Sequence, residues 1–201
     1  MIKAVIFDLG GVVVNMESFL EKIIKILKPA DRVQFWKELN LDAIPLCKGE
    51  MTTRQFCESL AKKYNKDEMA DELLTVWVDG YEKLVTVNRK VLNLVEKLRE
   101  KYKVAMVSNT NDEHTKVNRR LGIFKGFDVV VLSNEVKLAK DETDIFLLAA
   151  KKLRVKPEEC LFIDDVEKFV EVAKSVGMKA ILYKDPAQLK KNLLSFSVII
   201  G

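Results

Sequence analysis

The chain has 201 residues, 48% of them hydrophobic, enough to bury one full core with room for a small insertion. Its 34 basic and 30 acidic residues leave a formal charge of +4 spread along the whole length, with no basic block or aromatic-basic interleaving, which excludes a nucleic-acid-binding surface. Cys47, Cys57 and Cys160 form no CxxC pair, and about 18 apolar residues never follow one another, so neither a disulfide framework, a zinc knuckle nor a membrane span is expected. The expectation is a soluble protein of the reducing cytoplasm, with no membrane partner, working as a monomer or a homodimer.

Residues 4–7 form the first short run rich in Val, Ile and Phe, the pattern of a strand buried on both faces. From Asn15 to about Val87 the chain reads as consecutive helices with no convincing strand, clearest at 31–39, 52–64 and 67–84. Thr52 or Thr53 is placed to cap the second of these, with Pro45 and a turn at Gly49 breaking the chain before it. Strand-like runs return at 104–107, 129–132, 161–163 and 180–183, each followed by a helix-like stretch. Val91, Leu94, Val95 and Leu98 make one helical stripe, and Phe146, Leu147, Ala150 and Leu153 nearly repeat it. This alternation predicts an α/β fold: a doubly wound parallel sheet in a core of residues 1–15 and 87–201, with an all-helical insertion over 16–86. The last apolar run, 198–200, reads as an edge strand or a tail.

In an open parallel sheet, ligands bind beyond the carboxyl ends of the strands. There the sequence sets Asp8 after the first run, Ser108 and Asn109 after the second, Ser133 after the third, and Asp164 and Asp165 after the fourth. Carboxylates and carbonyls are ligands for Mg²⁺, and hydroxyls suit phosphate oxygens. A cap or strand-end turn accounts for any one of these residues alone. Together in this order, with Lys140 close after Ser133, they point to a single site.

Phe7-Asp8-Leu9-Gly10-Gly11-Val12 resembles the first motif of the haloacid dehalogenase (HAD) superfamily, and Val107-Ser108-Asn109-Thr110-Asn111 the second. Lys140 stands where the third motif has its lysine, and Phe162-Ile163-Asp164-Asp165 is similar to the phosphatase form of the fourth. Cys47-Lys48-Gly49-Glu50-Met51-Thr52 through Phe56 resembles the cap of the sugar-phosphatase and epoxide-hydrolase-like branch. The resemblance implies a Rossmann-like core with a helical cap and a small phosphorylated metabolite, such as a sugar phosphate, as substrate. It implies that Asp8 attacks phosphorus to form an aspartyl-phosphate, and that Mg²⁺ is held by Asp8, the Gly10 carbonyl and Asp164, with Asp165 acting directly or through a bound water. Ser108, Asn109 and nearby amides would bind phosphoryl oxygens while Lys140 neutralises charge in the transition state.

Gly10 stands where most phosphatases of this superfamily carry an aspartate that protonates the leaving oxygen, a loss expected to cost about 10²–10⁴-fold in rate with poor leaving groups. Acyl or anomeric phosphates therefore fit better than alkyl esters, and Glu50 or Asp79 of the insertion is a candidate substitute. Asp141-Glu142-Thr143 replaces a Pro-containing turn, and Val166 and Phe169 replace Ser and Asn. Two competing readings are a non-catalytic phosphate-binding or interaction protein on the same fold, and a haloacid dehalogenase, which the paired Asp164 and Asp165 argue against. His114 is read as structural or near-surface, its position close to the active-site edge leaving a substrate contact open, and Trp36, Trp77 and Phe56 as core aromatics of the insertion.

Overall fold

The computed structural model describes residues 1–199. Five parallel strands form the sheet: β1 (Ala4–Phe7), β4 (Lys103–Ser108), β5 (Val129–Leu132), β6 (Cys160–Asp164) and β7 (Lys179–Leu182), in the order β5-β4-β1-β6-β7. From β1 the chain builds outward to β4 and β5, then returns to the other side for β6 and β7, so β1 lies at the point where the winding reverses.

Alternation along each strand sends side chains to two separate cores. Val5, Phe7, Leu161 and Ile163 enter one, and Ala4, Ile6, Cys160 and Phe162 the other. The second core is closed by Ile145, Phe146 and Ala149 of α10 (Thr143–Leu153) and by Phe169 and Ala173 of α11 (Glu167–Ser175). The first is closed by the full stripe of α7 (Arg89–Arg99), Val91, Leu94, Val95 and Leu98, and by Leu189 and Leu193 of α12 (Pro186–Ser195). Covering both faces explains why the central strands read as continuous apolar runs.

The inserted helices share that first core through Phe19, Phe56, Leu73 and Trp77. They are α1 (Glu17–Leu27), α2 (Arg32–Asp42), α3 (Ile44–Lys48), α4 (Thr53–Lys63), α5 (Ala70–Thr75) and α6 (Tyr81–Leu84). Asp31 caps α2 by accepting from the amides of Val33 and Gln34, and Thr52 caps α4 in a reciprocal box with Gln55.

Three expectations need correction. The insertion is not strand-free at its margins: β2 (Val14–Asn15) and β3 (Thr86–Val87) pair antiparallel where the chain leaves and re-enters the core. Pro45 does not break the chain; it sits in the first turn of α3, where its missing N–H costs nothing and its fixed φ suits a helix start. Residues 67–84 are not one regular helix, because a 3₁₀ turn (Asp67–Met69) and a π-helical turn (Val76–Gly80) flank α5. Of the terminal run, residues 198 and 199 are in no strand, and Ile200 lies outside the described residues. No described helix is long and apolar enough to cross a membrane.

Candidate active site

The sheet register brings the candidate carboxylates together. Phe7 pairs with Ile163, so the next residues on the two strands, Asp8 and Asp164, stand side by side, and the backbone N–H of Asp8 donates to the Ile163 carbonyl at 2.8 Å. Asp164 Oδ1 accepts from the Val166 amide at 2.8 Å, turning the chain so that Asp165 faces the same space. Carboxylate oxygens of Asp8, Asp164 and Asp165 all lie within 4.8 Å of one another.

Lys140 reaches this cluster from the loop between α9 (Ser133–Val136) and α10. Its Nζ donates to Asp8 Oδ1 at 2.7 Å and to Asp164 Oδ2 at 2.6 Å, and lies 4.7 Å from the centroid of the Phe169 ring. Phe169, one of the departures from the family pattern, thus adds a cation–π contact to the buried ammonium. Burial works against the lysine's charge, but Asp164 and Asp8 hold it protonated above its ordinary range. Burial also raises all three carboxylates, Asp165 to about 7, because a single cation cannot offset three desolvated acids that repel one another.

A divalent cation fits this imbalance. Asp165 Oδ1 is buried with no partner among the described residues, and a methyl group at Gly11 would come within 2.1 Å of Asp165 Oδ2, so only glycine admits this carboxylate. The donor set is all oxygen, as Mg²⁺ requires.

Above the carboxylates is a cavity of about 90 Å³ whose lining includes Asp8, Gly10, Asn109, Lys140 and Asp165 from the predicted set. Asn109 Oδ1 accepts from the Lys140 amide at 2.9 Å, which positions the lysine loop, while its Nδ2 is buried without a partner among the described residues. Ser108 is buried but does not line the cavity; its hydroxyl lies 3.3 Å from the Asn109 carbonyl. Glu50 and Asp79 are both exposed and absent from the lining, and Glu50 pairs with Lys48. The direction in which a side chain at Gly10 would extend is taken by Met16 Sδ, 2.7 Å from where its first carbon would stand.

Other residues outside the predicted site set also line the cavity. His114 is 6% exposed, and it lines the cavity together with Trp36 and Trp77, so the two tryptophans are cavity wall as well as core. Thr110 and Asn111 join them, and Asn111 caps α8 (Asp112–Arg120). Ser133 ties the insertion to the core: its hydroxyl donates to the Cys47 carbonyl at 2.8 Å and accepts from the Thr110 amide at 2.9 Å. Lys48 adds an ion pair across the same junction to Glu142, a second departure from the family pattern. These roles depend on distant segments meeting, for which helical or strand periodicity carries no signal.

The model of the haloacid dehalogenase-like hydrolase family matches residues 2–177. The chain belongs to that family. It is 25% identical over 189 residues to the phosphorylated carbohydrates phosphatase of Thermotoga maritima, covering 89% of this chain and 83% of that one. It is also 25% identical over 206 residues to the D-ribitol-5-phosphate phosphatase of Bacteroides thetaiotaomicron, covering 96% and 97%. Among solved structures, a HAD family enzyme of Bacteroides thetaiotaomicron in complex with magnesium and inorganic phosphate matches with a TM-score of 0.65 and 28% identity over 94% of this chain and 99% of that one. The L-2-haloacid dehalogenase of Xanthobacter autotrophicus shares the fold alone, at 19% identity and a TM-score of 0.64 over 99% of this chain and 85% of that one.

Proposed function

We propose that this HAD hydrolase is a Mg²⁺-dependent phosphatase of small phosphorylated metabolites, with the helices of residues 16–86 as a cap over a core of 1–15 and 87–201. The observation that carries the reading is the buried Lys140 bridging Asp8 and Asp164 beside Asp165, at the floor of a cavity. The relatives named as phosphatases of phosphorylated carbohydrates and of D-ribitol 5-phosphate support the substrate class.

Asp8 attacks phosphorus through a carboxylate oxygen; the bond to the leaving oxygen breaks and takes its electron pair with it. Water then attacks phosphorus in the aspartyl-phosphate, releasing inorganic phosphate and restoring Asp8. Lys140 favours the ionised form of Asp8 against its burial and meets the charge that builds on the phosphoryl oxygens. Asn109 Nδ2 and the start of α8 offer donors to the same oxygens, with Ser108 shaping the turn behind them. Bound at Asp8, the Gly10 carbonyl, Asp164 and Asp165, Mg²⁺ would neutralise the nucleophile and the transferred group.

No insertion carboxylate lines the cavity among the described residues, and Met16 fills the space beside Gly10, so the leaving oxygen departs without the family's usual acid. Leaving groups that need little protonation, acyl and anomeric, should therefore turn over faster than alkyl ones, by about 10²-fold or more. The test is phosphate release from aryl, acyl, anomeric-sugar and alkyl phosphates, with Mg²⁺ or with chelator, beside an Asp8→Asn control. Metal-dependent release lost in the control is the expected result. Equal rates across the panel would remove the leaving-group argument, and no release from any member by folded, Mg²⁺-binding protein would overturn the phosphatase.

A further inference from the structure

None of the described residues that the insertion contributes to the cavity wall is charged, and the core's one lining cation, Lys140, is already engaged by Asp8 and Asp164. Within this wall His114 and Trp77 form a unit. The His114 ring stacks on Tyr81 at 3.6 Å and on Trp77 at 5.4 Å, with Phe19 edge-on at 5.6 Å. Its Nε2 lies 2.9 Å from the Trp77 carbonyl, in the π-helical turn Val76–Gly80. A carbonyl only accepts, so the proton is on Nε2 and the neutral ring keeps a lone pair on Nδ1. Nδ1 has no hydrogen-bond partner among the described residues, and Trp77 Nε1 is likewise buried and unpartnered. One acceptor and one donor on neighbouring lining residues are thus left for something other than protein.

We infer that His114 and Trp77 form a hydroxyl-recognition subsite for the leaving group, whose hydroxyls donate to His114 Nδ1 and accept from Trp77 Nε1. This rests on the phosphatase reading and narrows it. The uncharged wall offers nothing to a second anionic group, whose desolvation would go uncompensated. The substrate class is therefore a monophosphate of a neutral, hydroxylated group.

The experiment measures binding of three compounds of similar size to Asp8→Asn protein with Mg²⁺ by calorimetry: glycerol 3-phosphate, propyl phosphate and 3-phosphoglycerate. Glycerol 3-phosphate should bind about tenfold tighter than propyl phosphate, the worth of one or two neutral hydrogen bonds, and 3-phosphoglycerate should bind more weakly than either. In Trp77→Phe and His114→Phe backgrounds the glycerol-to-propyl ratio should fall toward one. Equal affinity of the first two compounds for protein with both residues intact overturns the subsite, however the variants fold. Failure of all three to bind overturns the phosphatase reading beneath it.

Discussion

Two buried carboxylates and a half-buried one face one ammonium at Asp8, Asp164, Asp165 and Lys140, so full ionisation leaves an excess of two negative charges that a divalent cation removes. Gly11 is the residue that makes room for this cluster, with φ of +81° and Asp165 packed where its side chain would be. Gly11→Ala should cost about 1–3 kcal/mol of stability and push Asp165 aside. Thermal unfolding with Mg²⁺ and with chelator checks both effects: the intact protein should gain from the metal, and the variant should gain less. His114 is the chain's only histidine, and burial holds its pKa down to about 4 from 6.5. Between those values the unfolded chain binds the proton that the folded one refuses, so stability is full above pH 6.5 and falls as pH drops toward 4, by on the order of 3 kcal/mol. Tyr81, stacked against the ring, is pushed up to about 12 and stays neutral throughout. Urea unfolding at pH 7 and pH 5 should show His114→Gln losing less than the parent protein; equal losses would mean the imidazole is not buried neutral.

The elements divide by how local their causes are. Thr52 and Gln55 satisfy each other's backbone groups within four residues, so the start of α4 is readable before any fold is known. Thr52→Ala should lower stability by about 1 kcal/mol and fray the first turn of α4, as seen in a shifted denaturation midpoint with unchanged slope. Pro45 looked like a breaker because proline does end helices, yet at the first turn of α3 the same ring favours a start. The π-helical turn at Val76–Gly80 has no local signature at all. Its Trp77 carbonyl meets the His114 ring, a partner 37 residues away.

For the molecule as a whole, polar contacts tie the insertion to the core beside the carboxylates. Ser133 joins Cys47 of α3 to Thr110 beyond β4, and Lys48 meets Glu142 nearby. Ser133→Ala leaves the Cys47 carbonyl and the Thr110 amide without this partner, at about 1–3 kcal/mol. The insertion should then open more often, raising KM severalfold with a smaller change in kcat and speeding amide exchange over residues 44–48. A drop in kcat at constant KM would instead make Ser133 part of the chemistry.

The placement of Asp8, Ser108, Asn109, Lys140, Asp164 and Asp165 at one edge of the sheet was legible because parallel strands end on one edge and side chains just past them share it. So was the helical insertion, since an apolar stripe at helical spacing is a local property. Tertiary structure alone decided which of those polar residues face the cavity. Ser108 and Asn109 are neighbours with the same kind of polarity, yet a strand end turns only Asn109 into the cavity lining. It also decided that Met16 would close the space beside Gly10 and that His114 and Trp77 would share a wall. Such pairings depend on how separate helices pack, and one-dimensional periodicity records only which face of each helix is buried.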